Sequence, residues 1–135
     1  MNKSAYLILR LAIGLSMFGH GLVRLPKLTV FSDGMLKEFE HSMLPQALVL
    51  PFSYVLPIAE FLVGLFIILG LFTKQSSVVG AIVMLCLIFG TCLIENFGAL
   101  PSQLIHAAFF AILIQFIDSN SLAIDKLIKN RSTSA

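Results

Sequence analysis

Charge is scarce in this chain. Asp, Glu, Lys and Arg together make up 12% of its 135 residues, about half the usual share of a soluble protein. Apolar residues make up 58%, and a soluble domain this small lacks the interior volume to hide that much apolar surface. The class is therefore integral membrane protein. The net charge of +2 is small and dispersed, which argues against a nucleic-acid partner. Cysteine is nearly absent too. Cys86 and Cys92 fall about 600° of rotation and about 9 Å of rise apart on one helix, so they cannot bridge each other. The lack of a Cys-x-x-Cys pair argues against a thiol–disulfide oxidoreductase. Nucleophile elbow, phosphate loop, dinucleotide fingerprint and zinc-finger spacing are all missing, so soluble cofactor chemistry is not expected within the chain.

What is present is four apolar runs, each near the ~20 helical residues that span a bilayer core. They cover residues 5–23, 50–72, 78–94 and 102–117. Pro26 stops the first, Pro57 is expected to kink the second, and Pro101 falls in the first turn of the fourth. Met1-Asn2-Lys3 ahead of an apolar run is compatible with a signal peptide. Arg10 interrupts that run and no small-x-small site follows, so an uncleaved first span is expected. Residues 1–135 read as a single all-α domain, a four-helix membrane bundle with no internal repeat. In the first loop, Asp33 can cap a short amphipathic helix from Gly34 to about Met43. Leu122, Ile124, Leu127 and Ile128 mark a second short amphipathic stretch before a polar terminus expected to be disordered. Lys3, Lys74, Lys126, Lys129 and Arg131 fall on one side of such a bundle, and Arg24, Lys27 and Lys37 on the other. That bias predicts both termini on the cytoplasmic side.

The ionisable residues inside the runs are Arg10, His20, Glu60 and His106, with Glu95 at a boundary. Glu60 is the most informative. A carboxylate at mid-bilayer depth costs roughly 2.5–3.5 kcal/mol on insertion scales, so it needs a partner or a role. Helical side chains lean toward their own N-terminus. His20 on an outward-running helix and Glu60 on an inward-running one therefore lean toward each other, and His106 enters at a similar depth. The spacing predicts a His20–Glu60–His106 cluster in the outer half of the bundle, with His20 and Glu60 joined by a hydrogen bond or a bridging water. Two histidines and a carboxylate can bind a transition metal, but nothing in the spacing demands one and no metal is expected. Arg10, near the inner end, either snorkels to the headgroups or faces the bundle to hold an anionic group or Glu60. A purely structural reading, with these groups locking helices by hydrogen bonds, stays open for each residue. Ala12 with Ser16, Gly14 with Gly21, and Gly64 on the Glu60 face are helix-contact signals.

The segments Leu9-Arg10-Leu11-Ala12-Ile13-Gly14, Phe18-Gly19-His20-Gly21 and Lys27-Leu28 resemble the opening of the DoxX family of small four-helix bacterial membrane proteins. Pro57-Ile58-Ala59-Glu60-Phe61-Leu62-Val63-Gly64, running on to Leu69-Gly70-Leu71-Phe72-Thr73, looks like that family's second helix and inner turn. Arg10, His20, Gly21, Lys27 and Glu60 are the matching positions. The end departs, reading Asp118-Ser119-Asn120-Ser121-Leu122-Ala123-Ile124-Asp125 where the family has a glycine-rich turn and a Ser-Leu-Asp-like stretch. The resemblance implies a multi-pass protein of the bacterial cytoplasmic membrane. Some relatives are subunits of a thiosulfate:quinone oxidoreductase and others belong to oxidative-stress complexes. A redox-associated accessory subunit is thus expected rather than an autonomous oxidoreductase. Arg10, His20, Gly21, Glu60 and His106 are the candidate binding residues and a quinone the candidate cofactor. The bilayer, a redox protein and a second copy of the chain are the candidate partners. A non-enzymatic membrane scaffold and a small-solute transporter are the competing readings.

Overall fold

The computed structural model describes residues 1–132. The elements are α1 (Lys3–Arg24), α2 (Leu28–Glu38), α3 (Gln46–Leu69), α4 (Thr73–Leu93), α5 (Leu100–Gln115) and α6 (Ile124–Ser132), with short 3-10 turns at Leu25–Lys27, Phe97–Ala99 and Ile117–Ser119. Lys3–Glu38, Gln46–Leu69, Thr73–Leu93 and Phe97–Gln115 are long and apolar enough to cross a membrane. The fold is the expected all-α, four-helix membrane bundle with a short helix in the first loop. The polar end, residues 133–135, lies outside the described residues.

α1 and α3 form the tightest pair. The buried stripe of α1 is Tyr6, Arg10, Ile13, Met17 and Gly21. That of α3 is Val49, Ser53, Leu56, Glu60, Val63 and Ile67. Both repeat at three and four residues, the period at which one helix face meets another. Gly21 against Phe61, Gly14 against Ile68 and Gly64 against Phe18 fix one antiparallel register. A β-carbon at Gly21 would run into the Phe61 backbone, so a glycine there lets the two backbones touch. α4 and α5 pair with each other and close the bundle. Tyr6, Ile13, Met17, Val63, Ile67, Met84, Phe110 and Leu113 form the core. The buried Tyr6 hydroxyl donates to the Leu113 carbonyl at 3.1 Å, so its polar tip is satisfied.

Several boundaries differ from the sequence expectation. Pro26 does end α1, but it starts a 3-10 turn from which the chain continues helically. α2 therefore begins at Leu28, and Asp33 sits mid-helix instead of capping it. The segment after Glu38 leaves the helix, and Ser42 turns it by bonding the Phe39 carbonyl. α2 is pinned to α3 by Ser32 and Ser53, both wholly buried. Ser53 gives its proton to the Leu50 carbonyl at 2.6 Å. Ser32 must then be the donor in the 2.7 Å bond between the two hydroxyls. α3 runs through Pro51 and Pro57 as one helix. α4 starts at Thr73, five residues before the expected Val78, and buries Thr73, Ser76 and Ser77.

The early start of α4 has a long-range cause. Gly70 ends α3 at φ 66°, the left-handed conformation a glycine adopts without strain. The Asp125 carboxylate then accepts from the Phe72 and Thr73 amides at 2.7 and 2.8 Å, and its own amide donates to the Gly70 carbonyl at 3.0 Å. The cap of α4 thus comes from about fifty residues downstream. A carboxylate on two orphan amides also meets the positive end of the helix dipole. Replacing Asp125 with alanine should lower stability by about 1–2 kcal/mol, read as thermal unfolding in detergent. An unchanged transition would show that the cap contributes nothing.

Candidate functional site

The bundle has two ends. One carries Met1, α6 and the α3–α4 turn, and the other carries the α2 and α4–α5 connections. Two polar assemblies form, one toward each end.

Glu60 lies at the boundary of the loop-end half, 3% exposed. Its partner is Arg24, whose Nη1 donates to Oε1 at 2.6 Å and to Oε2 at 2.5 Å. No direct hydrogen bond joins His20 to Glu60, and Arg24 takes the place expected of His20. The physical reason is reach. Arg24 is the last residue of α1, one turn beyond His20, and its long side chain leans back toward the bilayer centre. Glu60, on the antiparallel helix, leans out to meet it. In the sequence Arg24 reads as a loop residue, which hides it. The signal was its position four residues after His20, on the same helix face. The guanidinium also stands 4.8 Å from the centre of the Phe31 ring, a cation–π contact that ties α2 to the pair.

His106 is held on both sides. Its Nδ1 bonds the Ser102 carbonyl at 2.7 Å and its Nε2 meets the Ser16 hydroxyl at 2.8 Å. A carbonyl only accepts, so Nδ1 carries the proton, and in the neutral ring Nε2 accepts from Ser16. The Ser16 bond joins α1 to α5. The ring centres of His20 and His106 are 6.1 Å apart. Gln103, three residues before His106, donates to the Thr91 hydroxyl at 2.8 Å, linking α5 to α4. A search for ionisable residues passes over this glutamine, although an amide in a span is itself a polar signal.

His20, Arg24, Glu60, Gln103 and His106 line one cavity of about 560 Å³. Its lining runs from Leu44, Ile94 and Asn96 at the loop end down to Met17 and Met84 near the core. α1 and α5 supply most of its polar wall. Phe52 and Leu56 of α3 and Leu87 and Phe89 of α4 face it with apolar surface. Cys86 also lines it and is exposed, whereas Cys92 is exposed elsewhere. Among the described residues no group of three His, Cys, Asp or Glu side chains could hold a metal ion.

Arg10 and Gly21 do not reach this cavity. Gly21 is a packing position against α3. Arg10 belongs to the assembly at the terminal end, where it is buried at 3% exposure and neither snorkels nor meets Glu60. Its Nη1 donates to Asn120 Oδ1 at 2.6 Å, and Asn120 Nδ2 donates to Thr73 Oγ1 at 2.9 Å. Ser119 adds a bond to the Met1 carbonyl at 2.7 Å. The stretch 118–125, the part that departs from the resembled pattern, thus binds the N-terminus, Arg10 and the α3–α4 turn together.

The fold and its cavity define a small multi-pass membrane protein with a polar-walled chamber in one half of a helix bundle. The DoxX family model matches residues 5–94, two-thirds of the chain, and the chain belongs to that family. No curated protein and no solved structure matches it.

Proposed function

We propose that the chain is a membrane-embedded binding subunit. Its cavity would take the headgroup of a small amphiphile of the quinone class on behalf of a redox partner protein. The observation that carries this reading is the mixed wall of the cavity, where His20, Arg24, Glu60, Gln103 and His106 stand among apolar side chains such as Phe52, Leu56, Leu87 and Phe89. A ligand with a polar head and an apolar tail satisfies both, in the manner of small-molecule sites generally. The residues fit a quinone. Nη1 of Arg24 is committed to Glu60, but no protein acceptor among the described residues takes Nη2 or Nε. Those donors suit a carbonyl oxygen. A bound quinone supplies two-electron, two-proton chemistry. Arg24 would orient the carbonyl, while His20 and Glu60 would hold or pass a proton at the cavity wall. Below Glu60, Met17 and Met84 close the space into the core, which favours binding over passage of a solute. The Lys and Arg bias supports an outward-facing cavity and cytoplasmic termini.

Cys86 provides a direct test. In vesicles a small maleimide should label Cys86 from the cavity, and a decyl-chain quinone analogue should slow that labelling at least several-fold while leaving Cys92 unaffected. Glu60→Gln should weaken the protection. Labelling of Cys86 indifferent to the analogue at saturating concentration would overturn the proposal.

A scaffold reading draws on a different observation. The Arg24–Glu60 pair and the doubly bonded His106 each join separate helices, which a purely structural role also requires. Under that reading Glu60→Gln lowers the melting temperature and no ligand restores it.

A further inference from the structure

The charge arrangement around the cavity narrows what can enter it, granted that the cavity binds an amphiphile as proposed above. Among the described residues Arg24 is the one lysine or arginine on its lining. That cation is already engaged, because Nη1 spans both oxygens of Glu60. Glu38, the last residue of α2, lines the cavity at the loop end and makes no ion pair among the described residues. The carboxylates on the wall therefore outnumber the cations two to one. The histidines do not redress the balance. Both ring nitrogens of His106 are already bonded, to the Ser102 carbonyl and the Ser16 hydroxyl, so the ring offers an anion no free donor. His20 carries no fixed charge, unlike an arginine.

A carboxylate, phosphate or sulfonate headgroup would thus meet a paired arginine, the Glu60 carboxylate beside it and Glu38 at the entrance. Beside the buried Glu60 such like-charge proximity is felt strongly, and Glu38, exposed at the entrance, adds a weaker, screened repulsion. An uncharged head meets no such opposition. It can accept from the uncommitted N–H groups of Arg24 and donate to the lone pairs Glu60 keeps after binding Nη1. We infer that the cavity selects uncharged amphiphiles bearing carbonyl or hydroxyl oxygen and rejects anionic ones, with the Glu60–Arg24 pair as the charge filter. Anionic phospholipid headgroups and fatty-acid carboxylates are kept out by the same device.

A series with one tail and different heads tests this on the full chain. Dodecanol, dodecanoate and dodecyl phosphate would be titrated against maleimide labelling of Cys86 in vesicles of zwitterionic lipid. Dodecanol should protect at a concentration at least tenfold below either anion. Glu60→Gln should free the arginine and raise the potency of dodecanoate at least tenfold, closing most of its gap to dodecanol. Should that variant fail to fold, Glu38→Gln, at the cavity entrance, should raise dodecanoate potency two- to threefold. Equal protection by dodecanol and dodecanoate in the unaltered chain would overturn the inference while leaving occupancy of the cavity standing. Protection by no member of the series, alongside protection by the quinone analogue, would overturn the inference too, because the cavity would then read ring shape instead of charge. Protection by neither the series nor the quinone would overturn both readings.

Discussion

Replacing Arg24 with leucine should destabilise the protein by about 3–5 kcal/mol, because it strands a buried carboxylate without its counter-charge. Glu60 is 3% exposed and has no other bonded partner among the described residues. Glu60→Leu alone should cost less, since Arg24 is 27% exposed and can turn to water at the loop end. The double replacement should recover most of the loss, because two apolar side chains can fill the volume of a buried pair at little net cost. The measurement is a double-mutant cycle on thermal unfolding in detergent. Additive effects would mean that the two groups act separately, and the Arg24–Glu60 pair would no longer hold the site together. Arg24→Lys is not expected to be neutral. An ammonium on a shorter reach loses the planar donors that serve Glu60 and the Phe31 ring together.

The second large effect is expected at the other end. Arg10→Met keeps much of the side-chain volume and removes the donor to Asn120. It should cost about 1–3 kcal/mol, because a buried acceptor loses its partner. It should also loosen the whole stretch from Ser119 to Asp125, whose bonds to Met1, Arg10, Gly70, Phe72 and Thr73 form one connected set. Trypsin cleavage after Lys126 in detergent reads that loosening, and should quicken several-fold. Asn120→Ala should have the same effect on cleavage while leaving Cys86 labelling in the cavity unchanged. If Arg10→Met altered Cys86 protection and left cleavage untouched, Arg10 would belong to the binding site after all.

The two ends show different divisions of labour between chain and fold. At the loop end the sequence identified the problem, a carboxylate deep in an apolar run, and the direction in which it leans. It also brought His20, Glu60 and His106 to one place, and the cavity does gather all three. It missed the answer because a proline two residues past Arg24 reads as the end of everything helical. The chain instead makes a single 3-10 turn and goes on, so Arg24 stays anchored at a fixed angle within reach of α3. At the terminal end Leu122 and Ile124 mark a short amphipathic stretch, but the task of Asn120 and Asp125 is invisible without the turn they bind.

Composition and four apolar runs alone determined that this is a multi-pass helical membrane protein, and short motifs in the first two runs carried its family. Those properties depend on local averages, which a chain displays in one dimension. The partner of Glu60, the engagement of both His106 nitrogens and the cap supplied by Asp125 were decided only in the tertiary structure. Each depends on the register between helices and on the reach of a single side chain, and a shift of one residue along either helix would have chosen a different pair.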